Sequence, residues 1–185
     1  MSTGYYEALK LAREKLKTLD IQKVCEATGA VLKDGEPFIP WFLENRPVNS
    51  GSEIEQVLWL HYLTSGVIAE PTGRLIAFRE LPSAMFYEPK FIQRAEAPLK
   101  ERFGGTPAQM VEAGKKLGGK AVNHGDAAIV LPLLPRVPVT YIIWRGDSEF
   151  APDCRILFDS SAPLFLPTED LTVLASLGVY KLIKT

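Results

Sequence analysis

The sequence predicts an α+β fold: one domain over residues 1–185, with a mixed or mostly antiparallel sheet and about five helices packed around it. The dipeptide Asp34-Gly35 between two strand-like runs predicts a hairpin, because both residues tolerate the positive φ angles of a type I′ turn. Other segments carry apolar residues at spacings of three and four, which is typical of helices. The chain of 185 residues has no internal repeat, linker or shift in composition that would mark a second domain.

The N-terminal quarter predicts two helices followed by the hairpin, and we expect its helical part, residues 1–28, to pack on the rest. Asp20 can cap the second helix, and Gly29 is a natural stop for it. A second turn, at Glu44-Asn45, follows the hairpin. The first helix has one apolar stripe, made of Tyr5, Leu9, Ala12 and Leu16.

Two capping boxes predict where central helices begin. In the first, the Ser52 side chain accepts from a helical amide while Glu55 reaches back to the cap residue. Thr106 and Gln109 have the same spacing and predict a second box. The helix after the first box carries one apolar face, made of Ile54, Val57, Leu58 and His61.

The second half of the chain predicts two long strands and two further helices. The strands span 127–131 and 137–144, and the second is apolar on both faces, which predicts a central strand covered on each side. A helix over 89–103 contains Pro98, which should kink or split it. The last helix opens at Pro167, with acidic residues in its first turn.

Charge and composition exclude several classes of function. Twenty-one basic and twenty-two acidic residues leave a net charge of -1, which argues against nucleic-acid binding, because that needs a clustered positive field. No apolar run reaches the roughly 18 residues needed to cross a bilayer, so we expect no membrane contact. Cys25 and Cys154 form no Cys-x-x-Cys pair, and we expect two free thiols in a cytoplasmic protein.

His61 is the histidine better placed for function, because it lies on the apolar face of its helix. A buried imidazole needs hydrogen-bond partners, so we expect it to have one. One interpretation is a core histidine with satisfied nitrogens, and the other is a residue that contacts a ligand or binds a metal axially. His124 lies in the predicted turn His124-Gly125-Asp126, which has too few ligands for zinc.

The segment from Leu131 to Pro138 places three prolines between the two long strands. Because proline withholds its backbone donor, we expect an irregular, exposed bend that fixes Arg136. A guanidinium held in this way can clamp a carboxylate or a phosphate. We hypothesise that Arg136 lines a pocket with Trp144 and Asp159, and this hypothesis requires a hollow beside the bend.

Carboxylates are concentrated in the C-terminal third of the chain. Most such residues cap helices or form turns, but converging pairs can also perform acid/base chemistry. Asp159-Ser160-Ser161 has no glycine elbow, so we do not expect a serine nucleophile. The carboxylates are Asp147, Glu149, Asp153, Asp159, Glu169 and Asp170.

Several segments of the chain resemble a known family. They are Leu58-Trp59-Leu60-His61-Tyr62-Leu63, Phe78-Arg79-Glu80-Leu81-Pro82, Gly125-Asp126-Ala127-Ala128, Leu134-Pro135-Arg136-Val137-Pro138, Trp144-Arg145-Gly146-Asp147, Leu157-Phe158-Asp159-Ser160-Ser161-Ala162 and Leu166-Pro167-Thr168-Glu169-Asp170-Leu171. From about residue 30 onward, the chain resembles the bacterial and archaeal family called domain of unknown function 3786. The resemblance implies a protein found mainly in anaerobes, with an accessory role near iron–sulfur or corrinoid metabolism. Some members carry a cysteine-rich iron–sulfur module, whose cysteines this chain lacks.

We consider three hypotheses for the function. The first is a non-catalytic protein that binds a small molecule or a protein partner, with a tetrapyrrole held by His61 or His124 as one specific form. The second is a hydrolase or transferase that uses Asp147, Asp159 or Glu169 for acid/base chemistry and Arg136 as an anion clamp. The third is a homo-oligomeric scaffold. The cofactor stays unknown, no catalytic or metal-binding residue is assigned, and the candidate ligand-binding residues are His61, Arg79, Arg136, Trp144, Asp147 and Asp159.

Overall fold

The computed structural model describes the backbone of residues 3–185 and the side chains of residues 6–185. Every strand pairing in this part of the chain is antiparallel, and the strands form one sheet of three and one of five. The strands are β1 (Val31–Lys33), β2 (Glu36–Trp41), β3 (Glu44–Pro47), β4 (Leu75–Ala77), β5 (Lys120–Val122), β6 (Ala127–Leu134), β7 (Val137–Trp144) and β8 (Asp153–Asp159). The predicted α+β class is confirmed, with two antiparallel sheets in place of one.

Helices pack around these sheets and outnumber the predicted five in the described residues. They are α1 (Thr3–Lys17), α2 (Ile21–Thr28), α3 (Glu53–Leu63), α4 (Ala84–Phe91), α5 (Ala97–Phe103), α6 (Pro107–Lys116), α7 (Ala162–Phe165) and α8 (Thr168–Lys184). No helix within residues 3–185 combines the length and the apolar composition that crossing a bilayer requires.

The three-stranded sheet begins with the predicted hairpin. Asp34 and Gly35 adopt φ angles of 50° and 79°, as a type I′ turn requires. The predicted second turn at Glu44-Asn45 is wrong by two residues, because β3 already begins at Glu44. Trp41 is buried and keeps β2 extended to that point, so the chain reverses at Phe42-Leu43, both with positive φ.

The five-stranded sheet has the order β4-β8-β7-β6-β5, so β7 is its central strand as predicted. Strand β6 continues past the predicted end to Leu134, and the chain then reverses tightly at Pro135-Arg136. Pro132 faces Pro138 across the hairpin, and a register shift beside Pro132 absorbs the missing donors. The segment is therefore irregular at this register shift as expected, but the expected exposed bend is wrong, because the side chains of Leu133, Leu134 and Val137 are fully buried.

A continuous helical segment over residues 84–103 contains the predicted irregularity. The helix begins at Ala84 instead of Pro89, and its turn over Ile92–Glu96 is π-helical. In that turn the Ala97 N–H donates to the Ile92 carbonyl, five residues back. Pro98 has no N–H and crowds the preceding turn, and the wider π turn accommodates it.

The first predicted capping box is confirmed and the second is wrong. Ser52 Oγ accepts from Glu55 N–H at 3.4 Å, and the Ser52 N–H donates to Glu55 Oε2 at 2.8 Å. Thr106 makes no side-chain cap. The side chain of Gln109 instead accepts from Arg102 at 3.0 Å, so the carboxamide has a different partner from the one its spacing predicts.

Helix α3 lies at the centre of the molecule and is buried on several sides, so its predicted single apolar face is wrong. Ile54, assigned to that face, is 39% exposed. Val57 and Leu60 pack against α1, while Trp59 and Tyr62 belong to the main core. From the predicted α1 stripe, Leu9 and Ala12 are buried against α3 and Leu16 is partly buried, and the side chain of Tyr5 lies outside the described residues.

Candidate functional site

An ion pair between two helices gives His61 the partner that the sequence predicted. His61 lies in the last turn of α3, and Asp170 lies in the first turn of α8. The imidazole Nδ1 is 2.7 Å from Asp170 Oδ2, and Nδ1–H is the donor because an ionised carboxylate only accepts. The pair is partly buried: 36% of the His61 side chain and 12% of the Asp170 side chain are exposed.

The surroundings of this pair favour its charged form. The C-terminal end of α3 is the negative end of its dipole and favours an imidazolium, while the positive N-terminal end of α8 favours a carboxylate. The hydrogen bond to Asp170 raises the pKa of His61 above its ordinary value of 6.5, although burial and the nearby Lys15 act in the opposite direction. His61 therefore keeps its proton to a higher pH than a free imidazole does.

An open, shallow groove of about 430 Å³ lies beside the pair, and it matches small-molecule sites in volume but not in enclosure. Residues 163–167, which are apolar, form most of its wall. The polar side chains in its lining are Lys15, His61, Thr64 and Ser65. Because Nδ1 is bonded to Asp170, Nε2 is the nitrogen that His61 offers to a ligand in this groove.

The hydroxyl groups in the groove are engaged with nearby backbone. Thr64 Oγ1 donates to the Leu60 carbonyl at 2.8 Å. Ser65 Oγ accepts from the Val67 N–H at 3.3 Å. Neither hydroxyl is hydrogen-bonded to His61 in the described structure, so these residues do not form a nucleophile–base pair there.

The metal-binding side chains of the described residues fit a site with one axial histidine ligand, and they do not fit an iron–sulfur cluster. Among residues 3–185, no three His, Cys, Asp or Glu side chains are grouped to hold a metal ion. Cys25 and Cys154 are both buried, and burial raises the pKa of each thiol, to about 12 for Cys154. A cluster needs several thiolates, which these separated thiols do not supply. His61, in contrast, has the carboxylate-held imidazole that is typical of metal-binding histidines.

Asp159 is a buried carboxylate, 2% exposed, that holds together the turn before β4. Its oxygens accept from the N–H groups of Thr72, Gly73 and Ser161 and from the hydroxyls of Thr72 and Ser161, at 2.6–3.0 Å. Burial opposes ionisation, but these hydrogen bonds outweigh it and hold the pKa of Asp159 below 3.8. Asp159 also lines a cavity of about 330 Å³ that includes His124, but its oxygens are already engaged.

Arg136 lies at the tip of the β6–β7 hairpin and is bonded within the protein. Its backbone N–H donates to the Tyr62 hydroxyl at 3.1 Å, and that hydroxyl donates to the Thr28 carbonyl. The guanidinium Nη1 pairs with Glu70. One nitrogen of the group predicted to clamp an anion therefore already has a carboxylate partner from its own chain, while its buried Nε has no hydrogen-bond partner among the described residues.

The other predicted residues lie at exposed positions. Trp144 ends β7 and is 38% exposed. Asp147 follows in a loop, where its Oδ1 accepts from two backbone N–H groups of the same loop at 2.8 Å each. Arg79 lies in a 3₁₀ turn after β4 and pairs with Glu88.

The hypothesis that Arg136, Trp144 and Asp159 line one pocket is wrong. Strand register pairs Trp144 with Asp153, and Asp159 follows six residues later on β8. That separation corresponds to roughly 20 Å along the sheet, too far for one small ligand. His61, Arg79 and Asp159 each line a different concavity, and of the predicted candidates only His124 shares one of them, the concavity at Asp159.

The three carboxylates of the enzyme hypothesis are likewise apart. Asp147 lies in an exposed loop, Asp159 in a buried turn, and Glu169 in the first turn of α8, exposed to solvent. Asp159 and Glu169 line two different concavities, and Asp147 lines neither of them. Acid/base chemistry by these residues therefore gains no support from their positions.

Sequence reasoning missed the partner of His61 and a group of charged residues around Arg79. Asp170 was assigned only to a cluster of carboxylates, although it and His61 both lie in segments that resemble the family. Glu88, Glu96 and Arg155 surround a cleft with Arg79. Pro98 inside a predicted helix was the available signal for this cleft, because it marks the π turn that contributes Glu96.

Comparison with known proteins identifies the family of the chain. A model of a protein family described as a domain of unknown function, DUF3786, matches residues 31–181. The chain belongs to the DUF3786 family. The DUF3786 match runs from β1 into α8, so it includes both His61 and Asp170, while α1 and α2 precede it. Searches among curated proteins and among solved structures found no match.

Proposed function

We propose that this DUF3786 protein is a non-catalytic small-molecule-binding or accessory protein whose ligand occupies the groove beside His61. The observation that carries the proposal is the Asp170-held imidazole, which leaves Nε2 for a ligand. A mostly apolar wall with a few polar groups is the usual composition of a small-molecule site. The engaged hydroxyls of Thr64 and Ser65 favour binding over covalent catalysis.

The ligand class that best matches this groove has an apolar body and one group that an imidazole can bind. Nε2 of neutral His61 can coordinate a metal centre, and the protonated ring can donate to an anionic group. Lys15 adds a second positive charge to the lining. A tetrapyrrole with His61 as axial ligand is the specific form that the family resemblance suggests, in an accessory role in iron–sulfur or corrinoid metabolism of anaerobes.

We further propose that the protein acts in the cytoplasm. The support is chemical: Cys25 and Cys154 are both free and buried, and unpaired thiols are typical of a reducing compartment. Neither thiol is near the groove, so the proposal for the ligand does not depend on the compartment.

Absorbance titration tests the tetrapyrrole form of the proposal. Protein purified from anaerobically grown cells is compared with apo protein to which haem or cobalamin is added. We expect the wild type and His124→Gln to give the spectrum of an imidazole-ligated cofactor, and His61→Gln to lose it. His124 is a matched control, because it is the other histidine of the chain. Failure of the wild type to take up either cofactor contradicts this form.

The wider proposal is tested with a probe that has an apolar body and an anionic group, anilinonaphthalene sulfonate. We expect its fluorescence to rise saturably as it binds the wild type. The affinity of the probe for His61→Gln should be at least about tenfold lower. His124→Gln again serves as the control. Equal binding by the wild type and His61→Gln would show that the probe does not occupy this groove, and absence of binding would contradict a ligand of this class.

A further inference from the structure

A narrow cleft at the π turn presents charges of both signs above an apolar floor. We call it the π-turn cleft, and its volume is about 160 Å³. The floor contains Phe78 and Phe91, whose rings stack with centroids 3.9 Å apart. The charged lining residues are Arg79, Glu88, Glu96 and Arg155. The cleft shares no lining residue with the groove beside His61.

The π turn brings Glu96 into this cleft. Its i→i+5 hydrogen bond widens the helix between Ile92 and Ala97 and turns the following residues back relative to an α-helix. As a result Glu88, Ile92 and Glu96, spaced by four residues each, all line the same cleft. π turns of this kind occur frequently at functional sites.

Glu96 is a partly buried carboxylate without a hydrogen-bond donor in the described part of the chain. Burial raises the pKa of Glu96, and the neighbouring Asp153 and Glu88 act in the same direction, against Arg155 and Lys100. Its own backbone carbonyl is engaged, since it accepts from Cys154 Sγ at 3.3 Å. Because the side-chain oxygens of Glu96 accept no hydrogen bond in the described residues, they are available for a cationic group. Binding such a group would also offset the cost of burying the carboxylate charge.

The two arginines keep donors available on the same cleft. Arg155 uses Nη1 for both of its contacts, with the Cys154 carbonyl at 2.8 Å and with Asp153 at 3.0 Å. Arg79 pairs with Glu88 through Nε. The remaining guanidinium N–H groups are suited to a carboxylate, because a guanidinium binds this group with two parallel hydrogen bonds.

We propose that the π-turn cleft binds a small α-amino acid as a zwitterion. Glu96 accepts from the ammonium group, Arg155 donates to the carboxylate, and the side chain of the ligand faces the floor of Phe78 and Phe91. The four charged lining residues sum to zero formal charge, which suits a ligand that carries one charge of each sign. The volume of about 160 Å³ is below that of drug-sized sites, so the ligand has a short apolar side chain.

Amide chemical shifts in the full chain, measured while L-alanine is added, test this proposal. We expect saturable shifts confined to residues 77–79, 88–96 and 154–156, with a Kd of about 1 mM or tighter. Alaninamide, which lacks the carboxylate, and N-acetylalanine, which lacks the ammonium, should each bind at least about tenfold more weakly. Absence of saturable shifts with L-alanine, or equal binding of either analogue, overturns the proposal.

Two variants and a matched control locate the site. Glu96→Gln and Arg155→Gln should each weaken L-alanine binding at least about tenfold, while Glu101→Gln, at an exposed position on α5, should leave it unchanged. Glu96→Gln removes a charge that lacks a donor, so we expect it to fold and to unfold no more easily than the wild type. Unchanged binding by a folded Glu96→Gln protein assigns L-alanine to another place and overturns the site.

Discussion

Asp159 and Asp170 are both largely buried carboxylates near the ends of secondary elements, but they differ in what they leave open. Asp159 accepts five hydrogen bonds from the backbone and hydroxyl groups around it. Asp170 holds a side chain, His61, that keeps a second nitrogen for another partner. A carboxylate whose bonds all remain within the chain stabilises a turn, whereas one that orients an accessible imidazole can prepare a binding site.

The same contrast appears between neighbouring residues of α3. The Tyr62 side chain is fully buried, and its hydroxyl connects the end of α2 with the tip of the β6–β7 hairpin. The His61 side chain, one residue earlier, reaches a groove. Helix α3 therefore carries a structural hydroxyl at Tyr62 and, in the proposed function, a ligand-binding imidazole at His61, so the two roles can be separated by mutation.

The largest effect is expected from Asp159→Ala. The substitution leaves the N–H groups of Thr72, Gly73 and the buried Ser161 without this acceptor, so the free energy of unfolding should fall by about 2–4 kcal/mol. Urea unfolding measures this. Asp153→Ala, at the other end of β8 and about half exposed, is the matched control and should change stability by about 0.5 kcal/mol or less. Equal effects of the two substitutions would contradict a structural role for Asp159.

A smaller effect is expected from Tyr62→Phe. The change removes only the hydroxyl, leaving the Thr28 carbonyl and the Arg136 N–H without this partner. The free energy of unfolding should fall by about 1–3 kcal/mol, as measured by urea unfolding. Tyr180→Phe, on an exposed position of α8, is the control. If Tyr62→Phe also abolished probe binding at His61 while remaining folded, the separation of the two roles would be wrong.

The smallest effect concerns the pH dependence that His61 contributes. Because the pKa of His61 is raised in the folded state, its stabilising contribution is complete below about pH 6.5 and is lost as the pH rises through that raised value. The partly exposed pair should contribute about 1 kcal/mol or less. The difference in unfolding free energy between wild type and His61→Gln should therefore shrink from pH 6 towards pH 9.

His124→Gln is the matched control for this pH series, because it removes the other histidine of the chain. A difference between wild type and His61→Gln that stays constant across the series would show that the His61 proton is not held more tightly on folding. The claim that Asp170 holds the His61 proton more tightly in the folded protein, which distinguishes it from Asp159, would then be wrong.

Features encoded by a few adjacent residues were predictable from the sequence. Asp34-Gly35 forms its turn, and Ser52 caps α3 together with Glu55, because these structures depend on local backbone conformation and local donors. The apolar character of both faces of 137–144 correctly placed β7 at the centre of the sheet. The turn at Phe42-Leu43 was not predictable in this way, because the buried Trp41 and the packing around it decide where β2 ends.

The candidate site was only partly predictable, because it depends on contacts between distant parts of the chain. His61 was correctly expected to have a partner, but Asp170 lies 109 residues away and reaches it only through the packing of α3 and α8. Pro98 indicated an irregular helix without indicating that the irregularity would be a π turn. Arg136 was expected to hold an anion from outside the chain, but Glu70, from a loop without a recognisable pattern, pairs with its Nη1.

The most direct test of the central claim is the tautomer of His61, observed by long-range ¹H–¹⁵N correlation in histidine-labelled protein. The chain has two histidines, so His124→Gln assigns the signals. The structure predicts that neutral His61 carries its proton on Nδ1, that Nε2 is unprotonated, and that Asp170→Ala removes this preference and lowers the pKa. A proton on Nε2 in the neutral wild type, or the same titration with Asp170→Ala, would contradict the claim that Asp170 prepares His61 for a ligand.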